Sequence, residues 1–268
     1  MINMDKVKIA VIGGSGLYSL LEDSEEWKTE TKYGRPSDTI KIGKIAGKKI
    51  AFLPRHGSKH SIPPARVPYI ANIEALSQLG VERIIATNAV GSINLKYKPG
   101  DFVIFDQFIN TTHRPDTFFN EEKVVHISSA DPYCSELSAI ALKAGKKLGL
   151  PMHKKATVVI VNGPRFSTKA ESKYYSMIGG DVINMTQYPE NVLAIEKAMC
   201  YLGIGIVTDY DAGVFEGTET ASLHEVNKKF NENITKLKEL LSEIISNTPD
   251  RGSCSCKNSL NSAGEDTK

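Results

Sequence analysis

Residues 203–214 read GIGIVTDYDAGV, an apolar, β-branched run that stops at two carboxylates, Asp209 and Asp211. Two acids close together push one pKa upward, and a partly buried carboxyl of that kind can hold or share a proton with a heterocyclic leaving group. Asp also caps loops after strands, which on local sequence alone is the simpler account. Other strand ends carry anion-binding chemistry. PRHG (54–57) sets the planar donor fork of Arg55 beside the imidazole of His56, a pair suited to phosphate or carboxylate, or else a surface Arg and a structural His. GGSG (13–16) offers open backbone N–H groups and the Ser15 hydroxyl, but without full GxGxxG spacing it fits a simple tight turn as well. TNAVGS (87–92) offers small side chains and backbone amides around Asn88 and Ala89, and NMTQYPE (184–190) places the Met185 thioether beside the Thr186 hydroxyl. An Arg, a His, a few hydroxyls or amides and a Gly-rich loop, all at strand ends, would make a cradle for inorganic phosphate. The chain has no GxxxxGK[ST] motif with its Mg²⁺ ligands and no GxSxG elbow, which argues against a P-loop NTPase and a serine-triad hydrolase.

These residues need a sheet to position them. Short β-branched runs recur at 7–14, 48–54, 82–90, 101–109, 156–163, 181–185 and 204–209, several of them continuous, which predicts strands covered on both faces. Between them, 69–80 carries apolar residues at helical spacing and stops at Gly80. A second helix is predicted over 130–149, with Asp131 as N-cap and Pro132 in its first turn. Thr168-x-x-Glu171 and Ser222-x-x-Glu225 are capping boxes, the second opening a long amphipathic helix over about 222–246. Strands alternating with helices predict an α/β fold, a single domain with a mixed, mainly parallel sheet flanked by helices. The expected domain spans residues 1–247, and 248–268 reads as a loose, polar, Cys-containing tail.

Composition narrows the class of partner. With 33 basic and 31 acidic residues the net charge is +2, so no nucleic-acid or membrane surface is expected. No apolar run approaches the roughly 20 residues of a membrane span, and the N-terminus does not read as a signal peptide, so a cytoplasmic protein is expected. Cys134 and Cys200 stand alone, while Cys254 and Cys256 lie in GSCSCKNS. Zinc is disfavoured at this level because no CxxC pair or His cluster completes four ligands. Buried thiols and disulfides both remain open; within cells, disulfides are mainly a feature of hyperthermophiles, a source that the Ile- and Lys-rich composition fits.

Taken together, AVIGGSGLY, FLPRHGSKHSIPPARVPYIANIEAL, TNAVGS, PGDFVIFDQFIN, NGPRFSTKAES, DVINMTQYPE and VTDYDAG resemble the methylthioadenosine phosphorylase branch of the trimeric purine nucleoside phosphorylase family, from about residue 7 to 246. The resemblance implies phosphorolysis of S-methyl-5′-thioadenosine to adenine and 5-methylthioribose 1-phosphate, with phosphate as co-substrate, no cofactor and no catalytic metal. It implies that Ser15, Arg55, His56, Asn88, Ala89 and Thr186 hold phosphate and that Met185 packs on the ribose. Phe166 and Ser167 would border the base, with Asp209 and Asp211 at its polar edge. Leu223, Val226 and Asn227 would lie at the 5′ pocket, and His126 would reach a neighbouring subunit's 5′ pocket in a homotrimer or a dimer of trimers. Asp209 would donate or share a proton at N7 as the C1′–N9 bond breaks, and an Asp there favours 6-aminopurines. Cys134 and Cys200 match positions paired in a disulfide in some heat-adapted archaeal members, whose tail motif the C-terminal CSC also resembles. That pairing would contribute about 3–5 kcal/mol in the chain-entropy model.

Four positions depart from the pattern. Asn88 stands where animal methylthioadenosine enzymes have a hydroxyl residue, and Asn227 stands at an apolar position of the 5′ pocket. TDYDAG lacks the bulky residue that often follows the second Asp, and Ile70 replaces an Arg. These keep open a broad-specificity purine nucleoside phosphorylase acting on inosine, guanosine and adenosine. A third alternative is a nucleoside- or phosphate-binding protein without turnover.

Overall fold

Strands buried on both faces must be apolar at successive positions, as β1 (Ile9–Gly13) is throughout and β5 (Arg83–Ser92) is over its Ile84–Ala86 stretch. The computed structural model describes residues 7–14, 17, 20–119, 124–214, 222–250 and 252–261. Around β1 and β5 lie β2 (Glu22–Trp27), β3 (Ile40–Ile45), β4 (Lys48–Pro54), β6 (Phe102–Ile104), β7 (Gln107–Asn110), β8 (Met152–His153), β9 (Thr157–Ile160), β10 (Val182–Asn184) and β11 (Cys200–Tyr210). They form one sheet in the order β2-β3-β4-β1-β5-β10-β9-β7, with β11, β6 and β8 branching from β5. Six of the ten pairings are parallel, so the sheet is mixed and mainly parallel, as the alternation of elements predicts.

Helices cover both faces. Ile73 and Leu76 of α1 (Tyr69–Gln78) and Leu193 of α4 (Gln187–Glu196) pack with Ala10 and Ile12 of β1. Leu137 and Ala141 of α2 (Ser135–Lys147) and Leu237 and Leu241 of α5 (Leu223–Asn247) pack with Ile9 and Val11, the alternate residues of the same strand. A smaller cluster joins Tyr175 of α3 (Lys169–Met177) to Val159 and Ile183.

Two irregularities of the central strands create the functional end of the sheet. β1 pairs with β5 only from Arg83 to Ala86, and β10 takes up that edge only at Gly91 and Ser92. Among the described residues, 87–90 therefore keep β11 on one side and have no strand on the other. The second is a bulge in β11 between Val207 and Asp209, where the register with β5 shifts by one residue at Thr208. Bulges re-aim the side chains that follow, and this one precedes both Asp209 and Asp211.

The run 101–109 is two strands rather than one. Phe105 N–H donates to the Gly203 carbonyl and Asp106 N–H to that of Ala156, so the chain crosses from β11 to the β7–β9 side between them. The helix expected over 130–149 begins only at Ser135, because Cys134 N–H donates to the Tyr201 carbonyl at 2.8 Å and ties the preceding segment to β11. α4 starts inside NMTQYPE, read from sequence only as a strand end; Asn184 Oδ1 accepts from the N–H groups of Thr186 and Gln187 (2.7 and 2.8 Å) and satisfies the start of the helix. The tail is not loose where it is described. Thr248 is buried, Ser253 donates through N–H and hydroxyl to Glu136, and the Ser259 hydroxyl donates to the Ile195 carbonyl.

The Thr168–Glu171 box forms with both of its bonds, and Ser222 Oγ accepts from Glu225 N–H. Replacing Thr168 with Ala leaves an N-terminal N–H of α3 unpaired and should cost about 1 kcal/mol of stability in urea denaturation. An unchanged midpoint would mean that the box holds nothing together.

Candidate active site

The carbonyls on the open edge of β5 need hydrogen-bond donors that a neighbouring strand would normally supply. Arg55, just past the end of β4, gives one: its Nη1 donates to the Thr87 carbonyl at 3.0 Å. Asn184, at the end of β10, gives another, with Nδ2 donating to the Ala89 carbonyl at 3.1 Å. In a strand the N–H and C=O of one residue share a side, so the Ala89 N–H lies on the same open edge. That edge forms the floor of a cavity of about 640 Å³, lined among others by Thr87, Asn88, Ala89, Val90 and Gly91.

Arg55 is 3% exposed and its partner Glu190, on α4, is fully buried. Nε and Nη2 of Arg55 donate to the two Glu190 oxygens at 2.8 Å each, a bidentate pair. Burial alone would lower the Arg55 pKa, but the Glu190 charge outweighs it and raises it. Tyr201 on β11 adds a hydroxyl bond to Glu190 Oε1 at 2.7 Å. A guanidinium has five N–H donors. Three are committed here, so two remain for a ligand.

His56 has a different character. Its Nδ1 lies 2.8 Å from the Ile62 carbonyl, which can only accept, so Nδ1 carries the hydrogen and Nε2 of the neutral ring is an acceptor. Burial, then the Arg55 charge, lowers its pKa to about 4, so the ring is neutral at pH 7. Beside it, the Thr186 hydroxyl donates to Asn88 Oδ1 at 3.1 Å.

The two acids close another wall of the cavity. Burial raises the Asp209 pKa to about 6, against a 2.6 Å bond from the Thr208 hydroxyl and with help from the Asp211 charge. Burial also raises Asp211, which accepts from the Ser172 hydroxyl. Gly91 pairs with Asp209 across the bulge and lies against both acids: a Cβ there would stand in ordinary contact, 3.4 Å from Asp209 Oδ2 and 3.6 Å from Asp211 Oδ1. Gly163 (φ +63°) is the tighter position, since a Cβ there would meet Met185 Sδ at 2.5 Å.

Of the residues singled out from sequence, Arg55, His56, Asn88, Ala89 and Thr186 line the cavity together with Phe166, Ser167, Met185, Asp209 and Asp211. Leu223, Val226 and Asn227 line it from the first turns of α5. His126 is exposed and not among the lining residues of its own subunit. Ser15 lies outside the described residues, while its neighbour Gly14 borders the cavity. Sequence reasoning missed Glu190, Asn184, Thr208 and Thr87, whose buried hydroxyl faces no protein partner among the described residues. The available signal for Glu190 was an acid placed two residues before the apolar run VLAI (192–195).

Phosphorylase superfamily matches run over residues 8–246, nearly the whole described body, and the chain belongs to that family. It is 49% identical to the S-methyl-5′-thioadenosine phosphorylase of Thermofilum pendens, over 97% of this chain and 99% of the relative. The protein of the same name from Pyrococcus abyssi is also 49% identical, over 94% and 97%. Among solved structures, a methylthioadenosine phosphorylase from an antarctic soil metagenomic library superposes with a TM-score of 0.89 at 38% identity, covering 96% of this chain and 92% of that one. The methylthioadenosine phosphorylase of Schistosoma mansoni in complex with adenine gives 0.85 at 35% identity, over 90% and 91%.

Removing one partner of a buried ion pair leaves the other charge uncompensated, at a cost of about 3–5 kcal/mol, whereas replacing both by apolar groups is often neutral. Glu190→Gln should therefore lose about that much stability in urea denaturation, and the Arg55→Met/Glu190→Gln double variant should lose less than the single. A single variant within about 1 kcal/mol of the parent would show that the pair is not what holds Arg55 in place.

Proposed function

We propose that the protein catalyses phosphorolysis of S-methyl-5′-thioadenosine, releasing adenine and 5-methylthioribose 1-phosphate. The observation that carries it is one cavity holding an Arg55 with two uncommitted donors and an Asp209 carboxyl with a pKa near 6. Phosphate would sit on the open edge of β5, receiving the free Arg55 donors and the Ala89 N–H, with the Thr186 hydroxyl turning to it from its bond to Asn88 Oδ1 and Asn88 bordering the same edge. His56 Nε2, an acceptor in the neutral ring, suits the P–OH of hydrogen phosphate. Ser15 completes the proposed cradle, and inorganic phosphate is the co-substrate with no cofactor.

The reaction then balances on this chain's own groups. As C1′–N9 breaks, a phosphate oxygen attacks C1′ and its negative charge steadies the oxocarbenium-like ribose. The bond's electron pair goes to the purine, which takes a proton from Asp209 at N7, and the Asp209 carboxylate is reprotonated from solvent after release. Met185 packs against the ribose, Phe166 and Ser167 border the base, and Asp211 shares its polar edge. Leu223 and Val226 supply the apolar contact that a methylthio group needs. We further propose a homotrimer or a dimer of trimers, in which His126 completes a neighbour's pocket. Exposed Tyr174 (55%) and Met177 (75%) on α3 fit a covered subunit face.

Asn227 on the cavity wall favours a second reading, because an amide there can bond a 5′-hydroxyl and admit adenosine, inosine and guanosine. Phosphate-dependent base release from methylthioadenosine, adenosine and inosine, each as kcat/KM, separates the two. A clear methylthioadenosine preference is expected, comparable inosine cleavage would favour the general purine enzyme, and absence of turnover on all three would leave a binding protein.

The protonated Asp209 donates and the ionised form does not. The free enzyme's kcat/KM should therefore fall as pH rises through about 6, and Asp209→Asn should remove that limb along with about 10²–10⁴-fold of the rate. A profile unchanged in Asp209→Asn would take the proton transfer away from this residue.

A further inference from the structure

Four cysteines from three segments far apart in sequence meet at the end of the sheet opposite the proposed active site. Cys134 is the N-cap of α2, Cys200 opens β11, and Cys254 and Cys256 come from the tail at the start of a short 3₁₀ turn. All four are free thiols, and their sulfurs lie within 4.8 Å of one another. The Cys134–Cys200 disulfide implied by the family resemblance is thus replaced here by a four-thiol cluster. Cys200 and Cys254 Sγ are 3.2 Å apart.

We propose that this cluster is a structural tetrathiolate site for a thiophilic divalent cation of the zinc type. Zinc takes four thiolates tetrahedrally at about 2.3 Å, which places sulfurs about 3.8 Å apart, a spacing between the 3.2 Å and 4.8 Å seen here. Zinc was disfavoured from sequence because the ligands do not fall in a CxxC or His pattern. The fold supplies what the spacing lacks by drawing ligands from a helix start, a strand start and the tail.

The surroundings suit a closed structural centre. Cys134 and Cys200 are buried, and Cys254 and Cys256 are half-buried against the cluster of α2 and α5. The tail is held in register independently of the sulfurs: Ser253 donates twice to Glu136 at 2.9 Å, and Glu136 pairs with buried Arg83 at 3.0 Å. Cys200 and Asp209 stand at opposite ends of β11, about 30 Å apart in an extended strand, so the cation takes no part in chemistry at the cavity. Its work is to fasten the C-terminal segment across the starts of α2 and β11. Binding converts four thiols to thiolates and releases their protons to solvent, so affinity falls as pH falls.

The test uses the full chain, purified reduced and without chelator. One zinc per chain is expected by elemental analysis. Anaerobic Co²⁺ titration of the metal-free reduced protein should give one ion per chain, with the thiolate charge-transfer and intense visible bands of a tetrahedral tetrathiolate centre. Loss of outer-sphere contacts alone weakens metal binding 10–100-fold, so Cys254→Ser/Cys256→Ser, lacking two ligands, should weaken Co²⁺ binding by more than about 100-fold. It should leave the kcat of the nucleoside reaction unchanged. The wild-type titration decides the matter even if the double variant does not fold. The proposal is overturned if reduced wild-type protein takes up no stoichiometric Co²⁺ or Zn²⁺. Isolation of a metal-free chain four hydrogens lighter, with two disulfides, whose reduction yields no metal-binding form, overturns it too, as does full retention of metal by the double variant.

Discussion

The candidate active site exists because β5 loses a neighbour. β1 stops pairing after Ala86 and β10 begins only at Gly91, while β11 holds the other edge throughout. A buried strand edge cannot stay unpaired without cost, so the carbonyls of Thr87 and Ala89 are met by the side chains of Arg55 and Asn184. Each of these must itself be anchored. Arg55 is fixed by Glu190, and Asn184 is fixed by the start of α4, whose N–H groups it accepts. Satisfying the sheet and building an anion site are therefore the same structural act. The donors that close the edge on one side leave other donors facing the cavity.

The charges near that edge are arranged to cancel. Glu190 offsets Arg55, His56 is neutral at pH 7, and burial drives the carboxyls of Asp209 and Asp211 toward their protonated forms. A phosphate entering such a site meets oriented donors rather than a large net positive field, which suits a ligand that must also react. The bulge at Thr208 completes the plan by turning the last residues of a fully buried strand toward the cavity. A strand built for the interior thus delivers two acids, because its first nine residues belong to the core and its end to the site.

What could be read from sequence was local. The strand 48–54 was legible to the residue because its apolar run ends at a proline, and the helices begun by Thr168 and Ser222 were legible from their caps. The division of 101–109 was not, because both halves are apolar and only the change of partner separates them. The cavity residues were legible because strand ends in a parallel sheet collect ligands, so residue type and position pointed the same way. Glu190 was hidden because its partner lies 135 residues away and nothing in either segment names the other. The four thiols were hidden for the same reason: their neighbourhood is made by three elements meeting in space, while a motif search sees only spacing along the chain.

The most direct test is a crystal structure with adenine and phosphate bound together. Phosphate oxygens should lie about 3 Å from the two uncommitted Arg55 donors and the Ala89 N–H, with Glu190 still paired to Arg55 and an Asp209 oxygen within hydrogen-bonding distance of adenine N7. Phosphate bound away from the open edge of β5, or adenine with N7 turned from Asp209, would contradict the account.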